Sequence, residues 1–280
     1  MGIRSNRTTQ RVLSVIAGCA AAALVAPAPA SAQFASQERL SPGVIGEKYH
    51  VELSGTFWNP SLVGVISSEQ FDIIGSQVDF VGDLGFERTR FKDLRIVLRP
   101  SKKSRFRIQY TPVVYTAETQ PRRTFVWNGQ TYSANLPINS TFEWKVWRFG
   151  YEYDFFYTDR GFIGAMIEAR ATNFSAELNS PLNNEFVTAR GPLPAIGLVG
   201  RAYVLPELAI NFEVSGFSLP DIDPKYEANY YDWDINGTFN FTNNMGVQVG
   251  WRRMTTFLSI EKDTGDLKFQ GMWFGAAIRY

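Results

Sequence analysis

Three groupings of side chains in this 280-residue chain are of a kind that could do chemistry. The only histidine, His50, stands two residues before Glu52. On a strand that spacing puts an imidazole and a carboxylate on one face, the arrangement of a general base with its orienting acid. A single such pair reads more simply as an interior histidine satisfied by a neighbouring carboxylate. Asp79 and Asp83 could help hold a cation, but their spacing fits no calcium loop. The third grouping is far larger. Arginines and carboxylates alternate with apolar residues along strand-like segments: Glu52, Asp93, Arg95, Arg99, Arg105 and Arg107, then Arg148, Glu152, Asp154, Glu168 and Arg170, then Arg201, Glu213, Asp232, Asp234, Arg252 and Arg279. An isolated buried ion costs several kcal/mol, so charges of both signs on facing inner surfaces are expected to pair. The expectation is therefore a structural charge network, with no catalytic, cofactor-binding or metal-ligating residue.

The elements that would carry these charges are strands. Tyr49, Val51, Leu53, Gly55 and Phe57 alternate with His50, Glu52, Ser54 and Thr56, as a wall between lipid and a wet interior requires. Similar alternation predicts strands over 91–99, 105–117, 141–157, 162–178, 195–205, 208–219, 230–241, 245–260 and a last one ending at Tyr280. Pro112 interrupts the third of these. Segment 59–90 breaks the alternation and reads as a long connection, as does 179–194. Asn128-Gly129, set between strand-forming runs, predicts a tight hairpin standing beyond the membrane. Connections alternate long and short, which places short turns in the periplasm and long loops outside. The count reads ten; merging doubtful strands gives eight, and a strand hidden in 59–90 or the loop hairpin counted as wall gives twelve.

The amino terminus supports export. Arg4, Arg7 and Arg11 precede an apolar run over 12–26 and the small-residue site Ala30-Ser31-Ala32, the form of a cleaved signal peptide over 1–32. A flexible leader over 33–46 and a barrel over 47–280 then follow. Cys19, the only cysteine, lies inside the signal, so the mature chain has no thiol chemistry. Ile16-Ala17-Gly18-Cys19 also has the form of a lipoprotein box, though with a short apolar run before it. Losing three arginines leaves 25 basic against 27 acidic residues, a balance that does not suggest nucleic acid. An aromatic content of 15% suits strands with aromatic belts.

The closing stretch carries a resemblance. Met272, Phe274, Ala276, Ile278 and Tyr280 share one face of a strand that ends on an aromatic residue. This resembles the last strand of bacterial outer-membrane β-barrels, of the small kind that includes OmpA and OmpX. The resemblance implies an all-β, antiparallel up-and-down transmembrane barrel in the outer membrane. It also implies an assembly signal in Met272, Phe274, Ile278 and Tyr280 that the barrel assembly machinery reads. Membrane lipid and lipopolysaccharide would surround a monomer that takes no cofactor. Omptin proteases place an Asp/His pair near the outer rim, whereas His50 begins the first strand at the periplasmic end. Barrel-type lipid A deacylases need a late His-Ser pair, and no late histidine exists here. Asp263-Thr264-Gly265 matches the aspartic-protease tripeptide, but that mechanism needs two such carboxylates in a buried cleft, so it reads as a turn. The leading expectation is a non-enzymatic barrel with a largely plugged lumen, the alternatives being a narrow solute channel and a surface enzyme acting on lipid or peptide.

Overall fold

The computed structural model describes residues 44–68, 75–218, 226–260 and 263–280. The expected signal peptide, most of the expected leader and positions 261–262 lie outside them. The strands, in chain order, are β1 (Val51–Trp58), β2 (Ser61–Ser67), β3 (Val78–Asp79), β4 (Phe91–Ser101), β5 (Ser104–Thr119), β6 (Phe125–Trp127) and β7 (Gln130–Tyr132). They continue with β8 (Ile138–Thr158), β9 (Gly161–Asn179), β10 (Asn184–Tyr203), β11 (Leu208–Ser218), β12 (Tyr226–Asn240), β13 (Met245–Ile260) and β14 (Asp263–Arg279). Each wall strand pairs antiparallel with the next, and β14 returns to β1, with Glu52 opposite Arg279 and Trp58 opposite Trp273. The result is a closed barrel of ten wall strands, with no free edge at membrane depth.

Segment 59–90, expected as a long connection, holds the strands β2 and β3, yet they leave the count at ten. β2 is β1 continued, because Ser61 faces Gln270 and Ser67 faces Thr264 in the register that β1 already keeps with β14. Between them the Asn59 amide still donates to Met272 O at 3.1 Å, so Pro60 alone breaks the ladder. Three other elements are longer than expected. β10 begins at Asn184, so most of the connection drawn over 179–194 is strand, β5 runs through Pro112, and Asp263-Thr264-Gly265 begins β14 instead of forming a turn. The prolines share one cause. Pro60 lies beyond the last β1–β4 pair at Trp58 and Phe91, Pro112 beyond the last β4–β5 pair at Leu94 and Tyr110, and Pro192 and Pro194 beyond the first β10–β11 pair at Ile196. Each sits where the strand has a wall neighbour on one side only, the place where a missing N–H is tolerated.

The outer face is apolar around the barrel: Leu53, Phe57, Leu94, Phe106, Trp147, Phe149, Ile167, Phe212, Trp233, Val249, Phe274 and Ile278 are all exposed. Tyr110 stacks on Trp147 at 4.5 Å between centroids, and Trp233 lies 4.7 Å from Trp251. So continuous an apolar belt is incompatible with a water-facing surface of the usual kind and fits a lipid-facing one. At one end lie short turns and the chain's carboxy terminus; at the other lie the long connections, which marks the first end periplasmic.

Candidate functional site

The inward side chains fill the barrel in three tiers. In the central tier Arg148 on β8 reaches Glu168 at 2.7 Å on β9, Glu213 at 2.6 Å on β11 and Asp232 at 3.4 Å on β12. Arg170 holds Glu168 at 2.6 Å and Asp232 at 3.5 Å, and its guanidinium also donates to Ser215 Oγ. Arg252 pairs with Asp232 at 2.7 Å and approaches Asp93 at 3.6 Å, while Arg107 pairs with Glu213 at 2.7 Å and Arg95 lies 3.7 Å from the same carboxylate. Nearly all of these side chains are buried. Their attraction is offset by the cost of taking each out of water, so the network is held by many shared partners and not by any single pair. Asp234 departs from the pattern, since it accepts from Trp273 Nε1 at 2.5 Å and from Asn236 at 2.7 Å in place of an arginine.

The periplasmic tier contains Glu52 with Arg279 at 2.5 Å, and Arg105 with Glu152 at 2.5 Å and Asp154 at 2.6 Å. It also contains a residue outside the expected network. Glu47, just before the first strand, turns into the mouth and pairs with Arg99 and Arg201. Burial works against its charge, but Arg201, Arg99 and Arg105 outweigh that cost and hold its carboxyl down at about 2. His50 does not share a face with Glu52 as expected. It precedes β1, is exposed, and its ring nitrogen stands 3.4 Å from Arg99 O, while the partner of Glu52 is Arg279. The alternation begins only at Val51, which removes the physical basis for a base and acid pair.

The outer tier is an aromatic core. Trp58, Phe80, Phe91, Tyr115, Phe142, Trp144 and Phe269 pack in one buried cluster, with Phe80 and Phe142 at 4.9 Å and Phe91 and Tyr115 at 5.1 Å between centroids. Two stacked cations join it to the charges below, Arg170 over Tyr230 at 4.1 Å and Arg252 over Trp58 at 5.1 Å. Above the cluster lies the β6–β7 hairpin. Its Asn128-Gly129 turn has φ of 50° and 74°, the left-handed pair the sequence predicts. The hairpin does not stand free: Phe125, Trp127 and Tyr132 are buried, and Tyr132 donates to Leu178 O at 3.1 Å. Asp79 and Asp83 are used up by structure, Asp79 closing its own turn through the Val81 and Gly82 amides and Asp83 pairing with Arg123 at 2.5 Å. That bond from Arg123 holds the Asp83 carboxyl below its usual range.

A polar cavity of about 80 Å³ lies within the bore, lined from strands all round it by Ser54, Thr56, Arg95, Asn236, Gln248 and Trp273 among others. It is room for a few waters between two filled tiers. The signal for the outer tier was present in β8 and β14. In β8 the apolar residues are Ile138, Phe142, Trp144 and Val146, on one face, and then Trp147, Phe149, Tyr151 and Tyr153, on the other. In β14 Leu267 and Phe269 give way in the same manner to Met272, Phe274 and Ile278.

No family model matches the chain, and no curated protein matches it. Among solved structures, the outer membrane protease OmpT from Escherichia coli superposes with a TM-score of 0.54 at 12% identity, over 89% of this chain and 100% of its own. The fold is that of a bacterial outer-membrane β-barrel. An outer-membrane channel from Pseudomonas putida F1 matches with a TM-score of 0.41 at 10% identity, over 88% of this chain and 100% of its own. Ail, the attachment invasion locus protein of Yersinia pestis, matches at 0.36 and 9%, over 82% and 99%. The barrel's apolar belt and closed sheet place it in the outer membrane.

Proposed function

We propose that this barrel is a non-enzymatic outer-membrane protein with a sealed lumen, serving the envelope structurally or through its outer surface. The observation that carries the reading is the filling of the bore at three levels: Glu47 with its arginines below, the Arg148 network at the centre and the aromatic cluster above. Ten strands lie close to the size at which side chains alone fill a barrel. An enzymatic reading that uses a histidine base lacks one at the outer rim, because the one histidine is at the periplasmic end. In a planar bilayer the purified protein is expected to show little or no steady ion conductance. A large, stable conductance would reject the seal and favour a narrow channel.

Met272, Phe274, Ile278 and Tyr280 face outward and are exposed, which supports their reading as the stretch seen by the assembly machinery. Membrane lipid and lipopolysaccharide are then the partners of the belt. Replacing Phe274 and Ile278 together with Asp is expected to abolish surface-assembled protein, and normal levels of the double variant would sink the assignment.

A further inference from the structure

The periplasmic mouth has the composition of a receptor. Arg99 on β4, Arg105 on β5 and Arg201 on β10 converge there with the hydroxyl of Tyr203 around the Glu47 carboxylate, while Arg105 also pairs with Glu152 and Asp154. Arg201 and Tyr203 donate to Oε1 of Glu47, the tyrosine at 3.1 Å, while Arg99 donates to Oε2 at 3.1 Å. Arg105 already spends Nη1 on Glu152 and Asp154; its Nη2 is buried without a hydrogen-bond partner and points toward Glu47 Oε2 from 4.0 Å. The Phe162 ring lies 3.9 Å from the Arg105 guanidinium and 5.7 Å from that of Arg201, which steadies both.

Receptor and occupant belong to different parts of the molecule. The arginines and Tyr203 stand on the paired wall, whereas Glu47 is presented by a short segment that crosses the mouth outside any strand. That segment's backbone is fastened by four bonds: Ile45 N to Pro206 O at 2.8 Å, Asn240 Nδ2 to Ile45 O at 2.8 Å, Gly46 N to Asn243 Oδ1 at 3.2 Å and Arg99 Nη1 to Glu47 O. Gly46 has a φ of +89°, and a Cβ there would come within 2.8 Å of Asn240 and Arg279, so the entry of the leader requires glycine. Two guanidiniums and a hydroxyl donate to both oxygens of a planar anion that comes from outside the wall, with the Arg105 guanidinium 4.0 Å away, a geometry that suits carboxylate recognition.

We propose that the periplasmic mouth is a binding site for small carboxylates, which Glu47 occupies in cis and which a free carboxylate fills when the leader withdraws. The site holds whether or not the barrel conducts, so it stands apart from the sealed-lumen reading. The test is rescue by acetate. Glu47→Ala is expected to unfold at lower temperature than the unmodified protein, and sodium acetate should raise its midpoint by several degrees more than sodium chloride at equal ionic strength. The midpoint of the unmodified protein, whose site Glu47 already fills, should differ less between the two salts than that of Glu47→Ala. Equal responses of Glu47→Ala to acetate and chloride would overturn the proposal. If that variant fails to assemble, the unmodified protein decides: molar acetate should speed tryptic cleavage after the exposed Lys48 several-fold over chloride by competing the leader away. Equal cleavage rates would overturn it as well.

Discussion

The lower and outer parts of this lumen obey opposite rules. At membrane depth the strands turn Leu94, Phe106, Phe149 and Ile167 outward and bury Asp93, Arg105, Arg148 and Glu168. A few residues further along the same strands, β8 exposes Asn139 and keeps Thr141, Glu143 and Lys145 outward while burying Phe142 and Trp144, and β14 buries Leu267 and Phe269. The difference lies in what surrounds the wall. Lipid demands apolar side chains outside and leaves the narrow bore to polar ones, which must satisfy one another; water reverses the demand, and the outer section is built like a soluble β-barrel with a conventional core. The two parts should therefore fail in different ways.

The largest effect is expected at the centre of the charged tier. Arg148→Ala leaves Glu168, Glu213 and Asp232 short of their shared cation, and breaking a buried pair of this kind costs about 3 to 5 kcal/mol. Urea unfolding in detergent, followed by gel mobility without heating, measures it. The matching cut in the aromatic tier, Phe269→Ala, opens a ring-sized void and is expected at the low end of about 3 to 5 kcal/mol, since the loops above can settle into it. If Phe269→Ala proves the more damaging, the outer core rather than the network is the centre of stability.

A smaller effect distinguishes the periplasmic tier by pH. The Glu47 carboxyl is held at about 2 in the folded protein against an ordinary 4.5. A lowered value stabilises fully above pH 4.5, and that contribution, up to about 3 kcal/mol, is lost as pH falls through 2. Unfolding midpoints of the unmodified protein and Glu47→Gln should accordingly differ at neutral pH and converge toward pH 2. A gap that persists unchanged into acid would mean that the carboxylate charge is not what holds the leader.

Period-two patterning by itself determined the antiparallel wall, the inward placement of Glu52, Arg148, Arg170, Glu213 and Arg252, and the Asn128-Gly129 turn, because each follows from residues adjacent or alternate along the chain. The inversion within β8 was also legible, but only to a reader who allows the solvent outside a strand to change partway along it. Other features were decided by tertiary structure alone. Pro60 reads as the end of a strand until β14 is seen to carry the register past it, from Trp58 opposite Trp273 to Ser61 opposite Gln270. Glu47 lies in no alternating segment, and it becomes buried because Arg99, Arg105 and Arg201, far apart in sequence, meet where the closed sheet narrows their separation. Closure of the sheet brings such residues together, and no local pattern records which distant strand a side chain will face.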